Sequence, residues 1–243
     1  MRLIEKFLDK LFIANVENSH TCDLCGKELF SYPDPRLCDE CEQSLTKNQA
    51  FVCEKCGRAT KTEGVCNLCK SEPPTFLKGC SPLVYFGESA ALINRFKNGT
   101  RALAFYLGEQ MSAVVSRLTV FEEPPVLVPV PLAKQKKRER GYNQAEELAK
   151  VISRATGYPL KSDLITKVKK DTQQKHLTAK ERREKIIGAF HIEDRKFCKG
   201  KTLLLVDDIL TTGATLSELS RILYNAGAKA VYALTACAVP ERD

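Results

Sequence analysis

The sequence contains no tryptophan, only two methionines and three histidines, and aromatic residues make up 7% of the chain. Few side chains are therefore available that could stack on nucleic-acid bases. No apolar run approaches the roughly 18 residues that a membrane-spanning helix requires, so we expect no membrane insertion. The first 18 residues, MRLIEKFLDKLFIANVEN, carry charges throughout their apolar stretch. Because this is not typical of a signal peptide, we expect a cytoplasmic protein.

Basic residues are concentrated in one part of the chain. The 243 residues carry a formal net charge of +8, and residues 134–201 contain 20 Lys and Arg against 9 Asp and Glu. That segment alone has a net charge of +11, so the remainder has about −3. A positive surface of this kind attracts polyphosphate or nucleic acid, although a solvated basic face would give the same count. The hydrophobic residues, 43% of the chain, suffice for a packed core.

Eleven cysteines are present, and eight of them form four C-x-x-C pairs. Two thiolates at this spacing can bind one metal ion from a tight turn, so four pairs predict two tetrahedral sites that hold structural zinc. Pairing in chain order gives the sets Cys22, Cys25, Cys38 and Cys41, and Cys53, Cys56, Cys66 and Cys69. A cross-braced pairing is the alternative. Four thiolates leave no open coordination position, so we expect neither site to be catalytic. The isolated cysteines, predicted as small buried residues, are Cys80, Cys198 and Cys237.

Changes in sequence texture divide the chain into three parts. Residues 1–18 place apolar side chains at helical spacing, which predicts an amphipathic docking helix. Residues 19–75 are polar and cysteine-rich, and form the predicted double zinc ribbon. In residues 76–243, apolar strands alternate with helical patterns, which predicts an α/β domain with a mostly parallel sheet flanked by helices on both faces. Ligands of such sheets bind at the carboxyl ends of the strands.

The stretch LLLVDDILTTGAT, residues 203–215, carries the strongest functional signal. A buried strand ends in Asp207 and Asp208, and a loop of threonines and a glycine then leads into a helix. Such a loop is an anion cradle, since backbone N–H groups and the helix dipole both favour a phosphate. The two carboxylates would repel the phosphate but can accept hydrogen bonds from sugar hydroxyls. A ribose 5-phosphate fits both features, whereas the plainer interpretation is a strand with an acidic end and an ordinary helix cap.

The same stretch closely resembles the signature of type I phosphoribosyltransferases. The resemblance implies a site for 5-phosphoribosyl 1-pyrophosphate (PRPP), in which the two acids hold the ribose 2′ and 3′ hydroxyls and loop 211–215 holds the 5-phosphate. The implied PRPP-binding residues are Asp207, Asp208, Thr211, Thr212, Gly213, Ala214 and Thr215. Oxopurine-using relatives place a carboxylate where this chain has Thr211, which argues against a purine base as the acceptor.

Further segments resemble the ComF competence family. They are RFKNG, VPVPLAKQKKRERGYNQAEELA and QKHLTAKERREKIIGAF, which accompany the double zinc ribbon. The resemblance extends over nearly the whole chain. It implies that the turn Val130-Pro131-Leu132 faces the pyrophosphate, although a strand ended by proline would look the same. Arg138 and Arg140 are the best candidates to bind the pyrophosphate, because a guanidinium can contact two phosphate oxygens at once.

Residues 171–185 correspond to a mobile hood that closes over PRPP in the superfamily that this chain resembles. Closing it excludes water from the reacting centre. Gln174 and Arg182 match the family pattern, whereas Lys185 stands where the family has an asparagine. Two further candidates are Lys97, in RFKNG, and Asn143, which could equally be a helix cap.

The chemistry implied by this resemblance is transfer of a phosphoribosyl group. The bond between C1 and pyrophosphate would break through an oxocarbenium-like state, with Mg²⁺ and basic side chains stabilising the departing pyrophosphate. No residue indicates the acceptor. Two hypotheses follow: a PRPP-dependent transferase acting in DNA uptake or natural transformation, and a non-catalytic zinc-ribbon adaptor that binds single-stranded DNA or a competence helicase.

Overall fold

A computed structural model describes residues 21–29, 36–168 and 186–241. The helix predicted over residues 1–18 and the hood residues Gln174, Arg182 and Lys185 lie outside these ranges. Within the described ranges, no helix is both long enough and apolar enough to cross a membrane.

Helices and strands alternate along most of the described chain after residue 78. The helices are α1 (Asp39–Ser44), α2 (Asn67–Ser71), α3 (Gly87–Lys97), α4 (Leu103–Val114), α5 (Lys134–Arg140), α6 (Gln144–Thr156), α7 (Arg195–Cys198) and α8 (Ala214–Asn225). The strands are β1 (Gly79–Cys80), β2 (Leu83–Val84), β3 (Val126–Pro129), β4 (Ile165–Lys167), β5 (Phe190–Ile192), β6 (Thr202–Leu210) and β7 (Ala230–Ala238). A short 3-10 helix, Val115–Arg117, follows α4.

The main sheet consists of five parallel strands in the order β1-β7-β6-β3, with β2 also paired to β7. The central strand is β6, in which Val206 pairs with Pro129 of β3 on one side and with Leu234 of β7 on the other. β1 and β2 follow one another along the outer edge of β7. β4 and β5 form a separate antiparallel pair. The predicted parallel sheet is therefore confirmed.

Both faces of the main sheet are buried. On β6, Leu204 and Val206 join the apolar cluster formed with α3, α4 and α6, whereas Leu203 and Leu205 join the cluster formed with α8. All four side chains have no exposed surface. Because alternate residues of a strand point to opposite faces, a strand buried on both sides must be apolar at every position. This requirement explains the uninterrupted run LLLV.

The eight paired cysteines form two compact modules. The first cysteine module is the set Cys22, Cys25, Cys38 and Cys41, and the second cysteine module is the set Cys53, Cys56, Cys66 and Cys69. Within each set, the four sulfur atoms lie within 4.8 Å of one another. The predicted pairing in chain order is therefore confirmed, and the cross-braced alternative does not occur. As predicted, the three isolated cysteines are buried.

The two cysteine modules pack against different faces of the sheet domain. The first buries Leu24, Leu29 and Leu37 in the cluster that contains α3 and α4. The second buries its four cysteines in the cluster that contains α8, together with Phe76. Both modules therefore share their buried surface with the sheet domain.

The glycine that follows each leading C-x-x-C pair provides a test of this packing. Gly26 and Gly57 both have a positive φ, but a Cβ at Gly57 would lie 2.4 Å from the carbonyl oxygen of Gly79, whereas Gly26 has open space. We expect Gly26→Ala to cost about 1 kcal/mol for the left-handed backbone alone. Gly57→Ala should cost more, by a further 1–3 kcal/mol or so, because β1 must also move. Urea unfolding of both variants checks this, and equal losses would contradict it.

Candidate functional site

β6 extends past the end of β3, and this difference in length creates the site. The last pair between the two strands is Pro129 with Val206, whereas β6 stays paired with β7 as far as Leu210 and Ala238. The two acids therefore lie inside β6, not at its end as the sequence pattern suggested, because pairing with β7 continues beyond them. Beside them, where β3 has ended, the sheet opens into a cavity of about 230 Å³.

The cavity brings together residues from five parts of the chain. Among the residues singled out for PRPP or pyrophosphate, those that line it are Val130, Pro131, Leu132, Arg140, Asp207, Asp208 and Thr215. The other lining residues are Lys97, Lys136, Asn143, Gln144, Ala145, Lys167 and Phe190. Four cationic side chains thus face two carboxylates. Such an excess of positive charge in a concave site suits a polyanionic ligand that also carries hydroxyl groups.

The two carboxylates are held in unequal environments. Asp208 forms an ion pair with Lys97, with 3.2 Å between the carboxylate oxygen and Nζ. Its backbone N–H donates a hydrogen bond to Oδ1 of Asp207 at 2.9 Å. Burial and repulsion by Asp208 raise the pKa of Asp207 to about 8, against the opposing effects of that hydrogen bond, Lys97 and Lys167. The pair therefore retains a proton near neutral pH and can both donate and accept hydrogen bonds.

The loop after β6 has the geometry of an anion cradle. Gly213 adopts φ +79°, a left-handed conformation, and α8 begins at the next residue. The hydroxyl of Thr212 accepts a hydrogen bond from the N–H of Ala214 at 3.3 Å. Within the described chain, no acceptor takes the backbone N–H groups of Thr212, Gly213 or Thr215. These donors and the positive end of the 12-residue helix α8 favour an anion. Of this loop, only Thr215 lines the cavity.

The turn after β3 is held by a side chain from the next helix. The side-chain amide of Asn143 donates a hydrogen bond to the carbonyl of Val130 at 3.1 Å. Asn143 occupies the N-cap position of α6 but makes no side-chain cap hydrogen bond. Its function as a helix cap, one of the two alternatives from the sequence, is therefore excluded. Asn143 instead fixes the turn that forms one wall of the cavity.

The two arginines predicted to bind pyrophosphate lie on different faces of α5. Arg140 lines the cavity, and its guanidinium donates a hydrogen bond to Gln144 at 3.1 Å. Lys136 lies one turn earlier and also lines the cavity. Arg138 is exposed and does not contribute to the lining. Residues four apart share a helix face, whereas a residue midway between them points away, so the cavity receives Lys136 and Arg140 together.

Lys167 and Phe190 line the cavity, and the sequence assigned neither of them a role. Lys167 ends β4 and Phe190 begins β5, and the Nζ of Lys167 lies 5.7 Å from the centre of the Phe190 ring. The antiparallel pairing of β4 with β5 joins them directly. In the sequence, 22 other positions separate them, and nothing marks either residue as functional. Only a prediction that the two short strands pair could have found them.

Both cysteine modules offer donor sets that fit a structural metal ion. In the second, backbone N–H groups of Cys56 and Cys66 approach Sγ of Cys53 at 3.5 and 3.3 Å. Hydrogen bonds from the thiols of Cys56 and Cys69 lower the pKa of Cys53, which favours a thiolate. Four sulfur ligands in one cluster are the donor set that zinc prefers in structural sites. Each module could therefore hold one metal ion.

The environment of Asp207 predicts a pH-dependent stability. In the unfolded chain the pKa of an aspartate is 3.8, so ionisation of Asp207 opposes folding as pH rises from about 4 to about 8. Asp207→Asn removes this cost. We expect the variant to have a Tm about 2–6 °C above that of the wild type at pH 8, and little or no gain at pH 4.5. Thermal unfolding checks this, and an equal gain at both pH values would contradict it.

Comparison with known proteins gives relatives over most of the chain. The DNA utilization protein YhgH of Escherichia coli (strain K12) is 28% identical over 222 residues, which cover 84% of this chain and 97% of the relative. Competence protein F of Haemophilus influenzae is 28% identical over 225 residues, 89% of this chain and 90% of that protein. Competence protein ComFC of Bacillus subtilis is 27% identical over 229 residues, with 90% and 91% coverage. The predicted resemblance to competence proteins is thereby confirmed.

Solved structures give more distant likenesses. The allosteric regulatory enzyme of purine biosynthesis has a TM-score of 0.37 and 18% identity, covering 55% of this chain and 26% of that chain. A hypoxanthine phosphoribosyltransferase from Staphylococcus aureus has a TM-score of 0.32 and 17% identity, covering 60% and 62%. The model of the phosphoribosyl transferase domain family matches residues 116–243, which include β3, β6, β7 and every residue that lines the cavity except Lys97. This match covers more than half of the chain, and the chain therefore belongs to the phosphoribosyl transferase domain family.

Proposed function

We propose that this protein binds PRPP with Mg²⁺ in the cavity beside β6 and acts in the cytoplasm in DNA uptake or utilization. One observation carries the proposal: Asp207 and Asp208 line a single cavity with Thr215 of the anion cradle and with Lys136 and Arg140 of α5. A ribose carrying a phosphate at one end and a pyrophosphate at the other has a group to match each of these. The names of the relatives support the process, since they refer to competence and DNA utilization.

Each part of the cavity has a counterpart in PRPP. The two aspartates would bind the ribose hydroxyls, and because the pair retains a proton it can match hydroxyls as both donor and acceptor. Loop 211–215 would bind the 5-phosphate through its N–H groups. The turn Val130-Pro131-Leu132, with Lys136 and Arg140, would bind the pyrophosphate. Mg²⁺ would accompany the pyrophosphate and neutralise part of its charge.

Transfer of the phosphoribosyl group requires the cavity to favour separation of pyrophosphate from C1. Lys136 and Arg140 would stabilise the negative charge that develops on the departing group, which lowers the barrier only if they are in place beforehand. The hydrogen bond of Asn143 to Val130 provides this preorganisation for the turn. Lys167 and Phe190 form the part of the lining that β4 and β5 supply, and no lining residue identifies the class of the acceptor.

A second candidate function is supported by the surface of the second cysteine module. Phe51 and Val52 are 45% and 38% exposed, unlike most large apolar side chains of the described chain. An exposed aromatic side chain can stack on a base of single-stranded DNA. Under this alternative, the protein is a non-catalytic adaptor for DNA or for a helicase of DNA uptake.

Binding of PRPP is the direct test of the first function. Titration calorimetry with PRPP and Mg²⁺ should give a measurable affinity for the zinc-loaded wild type. We expect the double variant Asp207→Asn/Asp208→Asn to bind at least tenfold more weakly. Each substitution replaces a carboxylate oxygen with an amide NH2 group, which cannot accept a hydrogen bond from a ribose hydroxyl.

Arg140→Gln and Arg138→Gln form a matched pair for the same titration. Both remove one positive charge from α5, but only Arg140 lines the cavity. We expect weaker PRPP binding for Arg140→Gln and unchanged binding for Arg138→Gln. Equal effects would indicate attraction by net charge alone. No PRPP binding by the wild type, together with salt-dependent DNA binding that survives in the double aspartate variant, would favour the adaptor.

The zinc sites should differ in how readily they release metal. We propose one Zn²⁺ in each cysteine module. Cys25 of the first is exposed and Cys41 partly so, whereas all four cysteines of the second are buried. A thiol-reactive reagent in the presence of a zinc indicator should therefore release two equivalents in two phases. Cys25→Ser should abolish the fast phase and leave the slow one. Release of both ions in a single phase would contradict the prediction.

A further inference from the structure

Arg58 connects the second cysteine module to the loop after β6. It is the residue after Gly57 in the turn that follows Cys56, and only 5% of its surface is exposed. Its Nε lies 3.2 Å from Sγ of Cys56, to which it donates a hydrogen bond. Its Nη2 donates to the carbonyl of Thr211 at 2.7 Å. One guanidinium therefore joins a sulfur of the cysteine module to the first residue of loop 211–215.

The position of Arg58 is set by close packing of the module against β1. A Cβ at Gly57 would lie 2.4 Å from the carbonyl oxygen of Gly79, so the two backbones are in direct contact. The N–H of Gly79 donates to the carbonyl of Lys55 at 2.7 Å. The side chain of Asn48 donates to the carbonyl of Gly57 at 2.7 Å. These contacts leave the guanidinium little freedom except to point at the loop.

The hydrogen bond to Thr211 constrains the direction of the next N–H group. The peptide unit is planar and trans, so its carbonyl and its N–H point in opposite directions. With the carbonyl of Thr211 turned toward Arg58, the N–H of Thr212 points away from it, and no described residue accepts a hydrogen bond from that N–H. Arg58 thus orients the N–H of Thr212, one of the donors that make this loop an anion cradle, away from Arg58 itself.

Charge favours the same arrangement. No described carboxylate forms an ion pair with Arg58, so the sulfur cluster is its anionic partner. Four thiolates around one divalent ion retain a net negative charge, which compensates a buried guanidinium. The same guanidinium therefore compensates the charge of the cysteine module and contacts the loop.

We infer that Arg58 is a positioning residue that sets loop 211–215 from the second cysteine module. Affinity for the 5-phosphate of PRPP then depends on the integrity of that module, although its sulfur atoms take no part in binding. This inference rests on the proposed PRPP site. It assigns the second cysteine module a role in ligand affinity in addition to stability.

The first cysteine module supplies a matched control. Lys27 occupies the position after Gly26 that Arg58 occupies after Gly57. Its side chain is 57% exposed and forms an ion pair with Glu40 of its own module, 2.8 Å from Nζ to the carboxylate. Lys27→Met therefore removes the equivalent charge at a site that does not contact loop 211–215.

The test compares Arg58→Met, Arg58→Lys and Lys27→Met, each with its zinc content measured. Titration calorimetry uses PRPP, ribose 5-phosphate and inorganic pyrophosphate as probes. We expect Arg58→Met to weaken binding of PRPP and ribose 5-phosphate about tenfold, because a charge-assisted hydrogen bond is lost. Pyrophosphate binding should change less than about twofold, since its turn does not contact Arg58. Arg58→Lys should recover part of the loss, and Lys27→Met should resemble the wild type.

Hydrogen exchange gives an independent readout that does not require a ligand. In Arg58→Met, exchange should accelerate in residues 210–217 and stay unchanged in residues 128–132. Unchanged exchange and unchanged ribose 5-phosphate affinity in a zinc-loaded variant would overturn the inference, as would equal weakening of ribose 5-phosphate and pyrophosphate. If Arg58→Met loses zinc or fails to fold, Arg58→Lys decides by the same criteria. A wild type that binds neither PRPP nor ribose 5-phosphate would overturn the proposed function, while the exchange data would still test Arg58.

Discussion

Burial of β6 on both faces and along both edges is the constraint on which this structure depends. Its residues 203–206 have no polar side chain because both faces are covered there, and its backbone is satisfied by β3 and β7. A strand held in this way can carry carboxylates into a partly buried position without unfolding locally. Beyond the end of β3, β6 remains paired with β7, so Asp207 and Asp208 lie on a strand that is held by its neighbour.

The cavity beside them is an electrostatic compromise. Burial, and after it repulsion by Asp208, raises the pKa of Asp207, which shows the cost of placing two adjacent carboxylates in a partly buried site. Lys97 offsets part of it through its ion pair with Asp208, while Lys136, Arg140 and Lys167 add further positive charge. These four cations outnumber the two carboxylates around the cavity. A cavity lined by two carboxylates and several cations suits a ligand that carries hydroxyl groups at its centre and phosphates at its ends.

The cysteine modules cover the outer side of the sheet, where strands are shortest. β1 and β2 have only two residues each, and the backbone beyond them is satisfied by the cysteine-rich segment. The N–H of Gly79 donates to Lys55, and the N–H of Val84 donates to Thr46 at 2.9 Å. An exposed sheet edge is a template for unwanted pairing, and this covering removes it. The modules therefore close the fold at the side away from the cavity, while Arg58 connects one of them to the loop after β6.

Local patterns determined much of this protein from the sequence alone. The four C-x-x-C pairs indicate both cysteine clusters, because ligand spacing in a tight turn is a local property. The run LLLVDDILTTGAT likewise indicates a doubly buried strand, an acidic pair and an anion cradle, since each depends on neighbours in the chain. Tertiary structure decided which side chains reach the cavity. Lys136 and Arg140 lie on the face of α5 that lines the cavity, and Arg138 does not. The pairing of β4 with β5 places Lys167 and Phe190 in the lining as well.

The clearest case is the pair of turns C-G-K and C-G-R, at residues 25–27 and 56–58. They are nearly identical in sequence, yet Lys27 lies in solvent and Arg58 is buried against the loop after β6. No local rule separates them. The difference arises because only the second turn packs against β1, through the close approach of Gly57 and Gly79. Contacts between residues far apart in the chain depend on how the elements pack, and a linear pattern does not contain that information.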